Sequence, residues 1–419
     1  MKENLLQYIW KEKYYRYTEL VTESGEELVV IDTGQWNKHQ GPDFLDARIR
    51  LNGTLWAGNI EIHIKSSQWY QHNHADDPHY RNVILHVVWE DDDSLLSSHM
   101  PTLVLQHRVS SIMLDKYNKL MQQPHSIPCQ DLLHLVNTET WDEWKEVLLQ
   151  ERLRRKASLI LNILHDTKNS WEEATWWWIA RHFGGPVNAA FFEQVARSIS
   201  TRILARHRNN LIQLEALLLG QANLLQESNV DPYVQLLQRE YLFLRNKYQL
   251  KNVHGRAQLL RMRPAGFPAI RLAQLAMLVK QSGRLHFNIL EATSLAELEK
   301  LLEITANDFW HYHYTLEEPT PFQPKHLGKD MQQHLIINAI APLVFAFGTK
   351  QQQPHFQQRS VKWLENLDPE HNSILRSWKN TGVASLNAAD SQSLTELRKC
   401  YCSAQRCLDC KIGQTIIKL

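Results

Sequence analysis

The segment GPDFLDARIRLNGTLWAGNIEIHIK, residues 41–65, predicts two antiparallel strands and the turn that joins them. Apolar and polar residues alternate on both sides of Asn52-Gly53, a dipeptide that favours the tight turn of a β-hairpin. In the second strand the isoleucines occupy one face, whereas Glu61, His63 and Lys65 occupy the other. The hairpin therefore organises the sheet around it and presents an acid, an imidazole and an amine together.

This polar face has two interpretations. It is either the solvated side of a half-buried strand or one wall of a hydrolytic metal site. An acid on one strand followed by Glu-x-His or Glu-x-Lys on the next provides ligands for Mg²⁺ or Mn²⁺ and a group that positions water. In the second interpretation Asp43 and Glu61 bind the metal, and His63 or Lys65 positions the water or stabilises charge.

The register of the hairpin determines which acid accompanies Glu61. An unbroken two-residue turn places Asp43 opposite Ile62 and leaves Asp46 on the face of Glu61. Asp43 reaches Glu61 only through a one-residue shift, such as a bulge at Gly58, or through a bend before the strand. Without either feature, Asp46 is the better ligand.

Histidines follow the hairpin at short intervals. His72, His74 and Asp77 combine a His-x-His motif with a nearby carboxylate, and such groups commonly bind Zn²⁺, Mn²⁺ or Fe²⁺. The alternative is a hydrated, histidine-rich loop. His86 lies inside a predicted apolar strand, where it would either support the site or form a hydrogen bond within the core.

The length and charge of the chain limit the class of protein. Its 419 residues predict two or three domains, and its formal net charge of +1 confines any polyanion site to a local basic patch. The start of the chain lacks the apolar core of a signal peptide, and the apolar segment 335–348 is too short for a membrane span and predicts a buried helix. We expect a cytoplasmic globular protein without a membrane partner.

The hydrophobic period divides the chain. Residues 3–16 predict an amphipathic helix, a two-residue period then predicts strands from about residue 27, and a helical period dominates after the segment QQPHSIPCQ at 122–130. Thr140 is the predicted N-cap of the first long helix. The predicted fold class is α+β: a mixed-sheet domain at 1–125, a larger all-α domain at 126–393 and a metal-binding tail at 394–419 that packs on the body.

Four of the five cysteines lie in the segment CYCSAQRCLDCKIG, residues 400–413. This clustering predicts metal ligation rather than a disulfide framework. Cys402, Cys407 and Cys410 would supply three ligands, and the fourth would come from Cys400 or from distant Cys129. The spacing does not distinguish Zn²⁺ from a [4Fe-4S] cluster.

Arginines gather in the segment GRAQLLRMRPAGFPAIRL, residues 255–272. Arg261, Arg263 and Arg271 would bind phosphate groups, because a guanidinium can donate two parallel hydrogen bonds to a phosphate. The alternative is that these side chains pair with acids on neighbouring helices.

The motifs resemble two families. Pro42-Asp43, Glu61 and His63 are similar to the motif of the PD-(D/E)xK nuclease superfamily, with histidine where the lysine usually stands. This resemblance implies a restriction-endonuclease-like sheet domain and metal-dependent cleavage of DNA or RNA. Segment 41–88, together with NLLQYIWK, QLEALLLGQANLL, RPAGFPAIRLAQLA and YCSAQRCLDCKIG, resembles the bacterial domain-of-unknown-function family 2851 over nearly the whole chain. That resemblance implies no activity.

Three functional hypotheses follow. The first is a metal-dependent nuclease of the PD-(D/E)xK type. The second is a non-catalytic scaffold that binds nucleic acid or protein through a degenerate nuclease-like domain. The third is a His/Asp metal-dependent hydrolase of a small molecule, centred on His72, His74 and Asp77. Proximity of Asp43 and Glu61 would favour the first hypothesis, and convergence of the histidines would favour the third.

Overall fold

A computed structural model describes residues 1–37, 39–75, 77–123, 125–225, 231–259 and 264–418. The chain forms two units: Met1–Trp144 together with Arg398–Leu419 (unit 1), and Lys145–Leu397 (unit 2). Unit 1 contains a mixed sheet and the C-terminal cysteines, whereas the long elements of unit 2 are helices. The α+β class predicted from the sequence is confirmed.

The sheet has its strands in the order β1-β2-β4-β5-β6-β7, and β3 pairs separately with β4. Pairing is antiparallel from β1 to β5 and parallel from β5 to β7. The predicted hairpin is the β4–β5 pair, and both turn residues, Asn52 and Gly53, have positive φ. The strands are β1 (Leu20–Val21), β2 (Glu27–Asp32), β3 (Gln35–Trp36), β4 (Phe44–Leu51), β5 (Thr54–Lys65), β6 (Val83–Glu90) and β7 (Thr102–Val104).

The helices of the described residues are, in chain order, α1 (Glu3–Lys11), α2 (Gln68–Gln71), α3 (Ser94–His99), α4 (Ser111–Gln122), α5 (Thr138–Asp166), α6 (Trp171–Phe183), α7 (Gly185–Ser198), α8 (Thr201–His207), α9 (Leu211–Gln221), α10 (Pro232–Tyr248), α11 (Pro268–Ser282), α12 (Leu285–Glu291), α13 (Leu295–Leu301), α14 (Asp308–His311), α15 (Lys329–Leu335), α16 (Ala341–Gln351), α17 (Pro354–Asn366), α18 (Ser373–Asn380), α19 (Ala388–Glu396) and α20 (Lys411–Lys418). Short 3₁₀ segments occur at Pro78–Tyr80, Gln130–Leu135 and Pro264–Gly266. Two π-helical segments of the described residues occur at Ile336–Ile340 and Leu397–Cys402.

Helix α1 covers the part of the sheet that carries the polar face. Its residues Leu5, Leu6, Ile9 and Trp10 are buried at helical spacing, and the helix packs against β5. Burying each of these side chains contributes roughly 1.5–3 kcal/mol. The helix ends at Lys11, so the predicted helix is present but shorter than expected.

The predicted N-cap of the long helix α5 is wrong by three residues. Helix α5 begins at Thr138, and the side-chain oxygen of Asn137 accepts a hydrogen bond of 2.9 Å from the backbone N–H of Thr140. Asparagine is as good a cap as threonine, and here it precedes the first turn. Thr140 therefore lies inside the helix.

The apolar segment 335–348 lies in a helix of unit 2. This helix, Lys329–Gln351, is the one among the described residues with the length and composition of a membrane span, and 67% of its most apolar window is buried inside the structure. The indole N–H of Trp178 and the hydroxyl of Ser360 donate hydrogen bonds to the carbonyls of Ala339 and Ala341. The prediction of a buried helix is confirmed.

Candidate metal centre

A bulge in β4 brings the two predicted acids together. Near the turn the ladder follows the register of an ideal hairpin, but Phe44 pairs with Ile60, so β4 contains one extra residue. The residue at the bulge is Asp46, which adopts a left-handed φ of 57°. The resulting shift places Asp43, at the start of β4, beside Glu61.

The predicted one-residue shift of the hairpin register is therefore present, but the extra residue lies in β4 and not at Gly58 of β5. The lack of a side chain at Gly58 has a different consequence, because a Cβ atom there would lie 2.6 Å from the backbone oxygen of Asn82. Gly58 thus permits the close approach of the segment before β6. Asp46 itself is exposed, and its N–H donates to the side chain of Asn59 at 3.3 Å.

Asp43 and Glu61 are held by reciprocal hydrogen bonds. The backbone N–H of Asp43 donates to Oε2 of Glu61 at 3.1 Å, and the backbone N–H of Ile62 donates to Oδ2 of Asp43 at 3.1 Å. The side-chain amide of Gln7 donates to Oδ1 of Asp43 at 2.9 Å and lies 3.4 Å from Oε1 of Glu3. Helix α1 therefore adds Glu3 and Gln7 to the acids of the hairpin.

The polar face of β5 is not a solvated surface. Glu61 is 5% exposed and His63 is 1% exposed, although the alternating pattern alone is typical of a half-buried strand. The isoleucines on the other face, Ile60 and Ile62, are fully buried. Both faces of the strand are therefore buried, and the charged and polar side chains on one of them require specific partners.

Three imidazoles cluster together, and two of them lie close to Glu61. One ring nitrogen from each of His63, His72 and His74 lies within 4.8 Å of the other two. Nε2 of His63 lies 3.2 Å from Nδ1 of His72, and Oε1 of Glu61 lies 3.5 Å from His63 and 3.3 Å from Nε2 of His74. Nε2 of His74 is buried without a hydrogen bond, whereas His72 is exposed. The cluster therefore has a buried interior and a face that reaches solvent.

A second layer of rings orients these ligands. Nε2 of His86 lies 2.9 Å from Nδ1 of His63. When Nδ1 of His63 carries the proton and donates it to His86, Nε2 of His63 has a lone pair available for a metal ion. The ring of Tyr80 stacks on His74 with 3.8 Å between the ring centroids. Trp69 packs against both His74 and His86. These contacts restrict the imidazole orientations.

The pKa values of the acids and histidines in the cluster are shifted toward their neutral forms. Burial raises the pKa of Glu61 and of Asp43, and the neighbouring negative charges of Asp43 and Glu3, respectively, raise them further. Burial also lowers the pKa of His63 and His86, helped by the surrounding imidazoles. His63 and His86 are therefore neutral at neutral pH and do not compensate the charge of the carboxylates.

This donor set fits a divalent cation. Nε2 of His74 has no hydrogen bond, and the negative charge of Asp43 raises the pKa of Glu61. A bound cation would coordinate the nitrogen and compensate the two carboxylates. Among the described residues, no lysine or arginine pairs with either carboxylate. A mixed set of imidazole and carboxylate ligands suits Mn²⁺, Fe²⁺ or Zn²⁺ better than Mg²⁺, which prefers oxygen.

Other predicted site residues lie outside this cluster. Lys65 is exposed and lies 3.5 Å from Oδ2 of Asp92. Asp77 caps the 3₁₀ segment Pro78–Tyr80 and pairs with Nδ1 of His79 at 2.7 Å. Asp77 interacts electrostatically with His74, whereas exposed Asp46 interacts with Asn59.

The cysteines occupy a separate part of unit 1. Cys129 immediately precedes the 3₁₀ segment Gln130–Leu135, Cys402 ends a π-helical segment, and Cys407 and Cys410 precede α20. Cys129, Cys407 and Cys410 are buried, whereas Cys400 and Cys402 are half-buried. The five cysteines are thiols and not disulfides.

The predicted phosphate-binding arginines have different outcomes. Arg271 lies in α11 of unit 2, where its guanidinium donates to Oε1 of Gln274 at 2.9 Å, and burial lowers its pKa to about 10. Arg261 and Arg263 lie outside the described residues. Their phosphate-binding role stays a prediction.

Sequence reasoning missed Glu3, Gln7 and Tyr80. Glu3 and Gln7 are four residues apart and so share a face of α1, which was a detectable signal. The sequence did not show that this face meets β5, because Gln7 and Asp43 are 36 residues apart. Tyr80 has no distinguishing signal in the sequence, because its stacking on His74 depends on the path of the intervening loop.

Comparison with known proteins identifies one family. A family model described as "Protein of unknown function (DUF2851)" matches residues 3–373. No curated protein and no solved structure matches the chain.

Proposed function

The chain belongs to the family described as Protein of unknown function (DUF2851). From the geometry of the candidate metal centre we propose that it is a metal-dependent phosphodiester hydrolase that acts on DNA or RNA. The observation that supports this proposal is the bulge at Asp46, which brings Asp43 beside Glu61. An acid at a strand start, a second acid on the paired strand and His63 two residues later form the pattern that the nuclease resemblance implied. The proposed ligands of the ion include Asp43, Glu61 and at least one imidazole.

Each residue has a distinct role in this proposal. Asp43 and Glu61 provide negative charge, and their hydrogen bonds to backbone N–H groups fix the directions of their free lone pairs. His63, aligned by His86, presents Nε2 to the same space. A bound divalent ion would polarise a phosphoryl oxygen and lower the pKa of a water molecule. Exposed His72 marks the side from which a phosphodiester would enter.

We propose Mn²⁺ as the working ion, although the motif alone is equally compatible with Mg²⁺. Mn²⁺ binds both carboxylates and imidazoles, whereas Mg²⁺ rarely accepts nitrogen ligands. The three imidazoles within 4.8 Å of one another support this choice. We therefore expect cleavage with Mn²⁺ to exceed cleavage with Mg²⁺.

The test is a cleavage assay with Mn²⁺, Mg²⁺ or chelator on single-stranded DNA, double-stranded DNA and RNA, comparing the full chain with its Glu61→Gln variant. Glutamine keeps the size of the side chain but removes its charge. We expect the Mn²⁺-dependent rate to fall by at least about 100-fold, because even supporting groups of metal ligands contribute 10–100-fold.

Asp46→Asn is the matched control. It removes one exposed carboxylate from the same hairpin, and asparagine tolerates the left-handed φ at this position. We expect its cleavage rate to equal that of the wild type. Full activity of Glu61→Gln would refute the proposed mechanism. Tight Mn²⁺ binding without cleavage of any nucleic acid would instead support the binding scaffold.

A second candidate function is hydrolysis of a small phosphate ester. The convergence of His63, His72 and His74 favours it, because a site rich in imidazole can also activate water for a small substrate. Parallel assays with p-nitrophenyl phosphate and bis(p-nitrophenyl) phosphate separate the two candidates. Hydrolysis of these esters without nucleic-acid cleavage would favour the second.

A further inference from the structure

Four cysteines of unit 1 lie close together, although Cys402 comes 273 positions after Cys129 in the sequence. The charges of Cys402, Cys407 and Cys410 each raise the pKa of Cys129, after the larger effect of burial. Burial, with smaller contributions from the neighbouring cysteines, raises the pKa of Cys402 and of Cys407 to about 12. Cys129, Cys407 and Cys410 are also buried, and the backbone N–H of Cys410 lies 3.4 Å from the carbonyl oxygen of Cys407, so these cysteines lie in one buried region of unit 1.

The local backbone holds this arrangement in place. Helix α20 packs against the 3₁₀ segment Gln130–Leu135 that follows Cys129. Gly413, in the first turn of α20, lies so close to Cys407 that a Cβ atom would be 2.3 Å from its carbonyl oxygen. A side chain at position 413 would push the helix away from the cysteine loop.

Cys410 has the surroundings of a bound thiolate. Burial raises the pKa of Cys410, and hydrogen bonds from the backbone N–H groups of Gly413 and Ile412 and from the indole of Trp144 offset part of that rise. The Trp144 indole is 9% exposed, and apart from this sulfur its buried N–H has no hydrogen-bond partner among the described residues. N–H groups directed at sulfur stabilise thiolate ligands and adjust their electronic properties.

The spacing of the sulfurs argues against a single zinc ion. Four thiolates bound to Zn²⁺ at 2.3 Å lie about 3.8 Å from one another in a tetrahedron. Among the described residues, His63, His72 and His74 form a group with all ligand atoms within 4.8 Å, and no three cysteines do so. An iron-sulfur core, which places several atoms between its thiolates, requires wider spacing.

We propose that Cys129, Cys402, Cys407 and Cys410 bind one [4Fe-4S] cluster that fastens the C-terminal segment to the rest of unit 1. The positive charge of the iron-sulfide core offsets the mutual repulsion of four buried thiolates. Cys402 is preferred to the neighbouring Cys400 as a ligand, because Cys402 interacts electrostatically with Cys129, Cys407 and Cys410. This inference does not depend on the hydrolase activity.

The test is metal analysis of the full chain, produced with iron and purified without oxygen. We expect brown protein with broad visible absorption, about four iron atoms and about four acid-labile sulfides per chain. Cys129→Ser and Cys402→Ser are expected to lose the colour and most of the iron. Cys400→Ser, which changes a neighbouring cysteine in the same segment, is the matched control and is expected to keep both.

The wild-type measurement decides the proposal even if a variant fails to fold. One zinc per chain without sulfide, or metal-free protein with all thiols reactive, would overturn it. Full iron and sulfide content in Cys129→Ser would also overturn it, since the upstream ligand would then be dispensable. Far-UV circular dichroism of each variant distinguishes loss of the cluster from loss of the fold.

Discussion

His86 determines the orientation of His63 at the candidate metal centre. Its Nε2 lies 2.9 Å from Nδ1 of His63, and the residue is fully buried. We predict that His86→Leu weakens Mn²⁺ binding about 10–100-fold, because His63 loses the partner that fixes its tautomer. Isothermal titration calorimetry of the full chain with Mn²⁺ measures this change.

His86→Gln is the conservative comparison for that measurement. The glutamine carbonyl can accept the proton from Nδ1 of His63, so we expect binding to recover to within about threefold of the wild type. A merely structural role for His86 would not distinguish the two variants, which both replace a buried ring. Equal Mn²⁺ affinity in the wild type and His86→Leu would contradict the positioning role.

The residues at this centre were only partly predictable. Asp43, Glu61, His63, His72 and His74 were recognisable as candidates because their types and spacing suit metal chemistry. Their convergence was not recognisable, because it depends on the path of the loop between β5 and β6. That loop brings His74 back under Tyr80, a contact no local pattern encodes.

At the scale of elements, the bulge in β4 controls the position of Asp43. We predict that Asp46→Val lowers the free energy of unfolding by about 1–2 kcal/mol, because a β-branched residue resists the left-handed φ of 57°. Restoring the regular register would turn Asp43 away from Glu61 and weaken Mn²⁺ binding. Denaturant unfolding and Mn²⁺ titration measure the two effects.

Asp46→Gly is the control for the bulge. Glycine adopts positive φ readily, so we expect Mn²⁺ binding to be unchanged and stability to be equal or slightly higher. If valine and glycine at position 46 have the same effect on both measurements, the bulge does not set the register. The side chain of Asp46 would then matter only as an exposed charge.

The hairpin itself was predictable, because Asn52-Gly53 specifies its turn and the alternation specifies its faces. The place of the bulge was not, because one extra residue leaves the alternation nearly intact while it exchanges the partners of Asp43. The burial of Glu61 also escaped prediction. It arises from α1, whose own amphipathic pattern was evident but whose packing against β5 was not.

At the scale of the whole molecule, half-buried neutral histidines make stability depend on pH. In unit 2, burial lowers the pKa of His182 to about 3 and that of His286 to about 4. Nδ1 of His182 donates to the carbonyl of Trp178, and His286 stacks on Trp171 beside the hydroxyl of Thr175. Protonation of either ring is disfavoured in the folded state, because a buried charge would lack solvation.

The direction of the pH effect follows from these values. A histidine with a folded pKa below its unfolded value of 6.5 contributes its full stability above about pH 6.5 and loses it as the pH falls toward the folded value. For His286 the loss between about pH 6.5 and about pH 4 is on the order of 3 kcal/mol.

We predict that His286→Phe, which keeps a stacked ring but cannot be protonated, loses less stability than the wild type between these pH values. Denaturant unfolding of both proteins at each pH measures the difference. Only the change with pH is compared, because phenylalanine also removes the contact with Thr175. An equal decline in both proteins would show that protonation of His286 does not contribute to acid unfolding, and that the remaining buried histidines or other groups account for it.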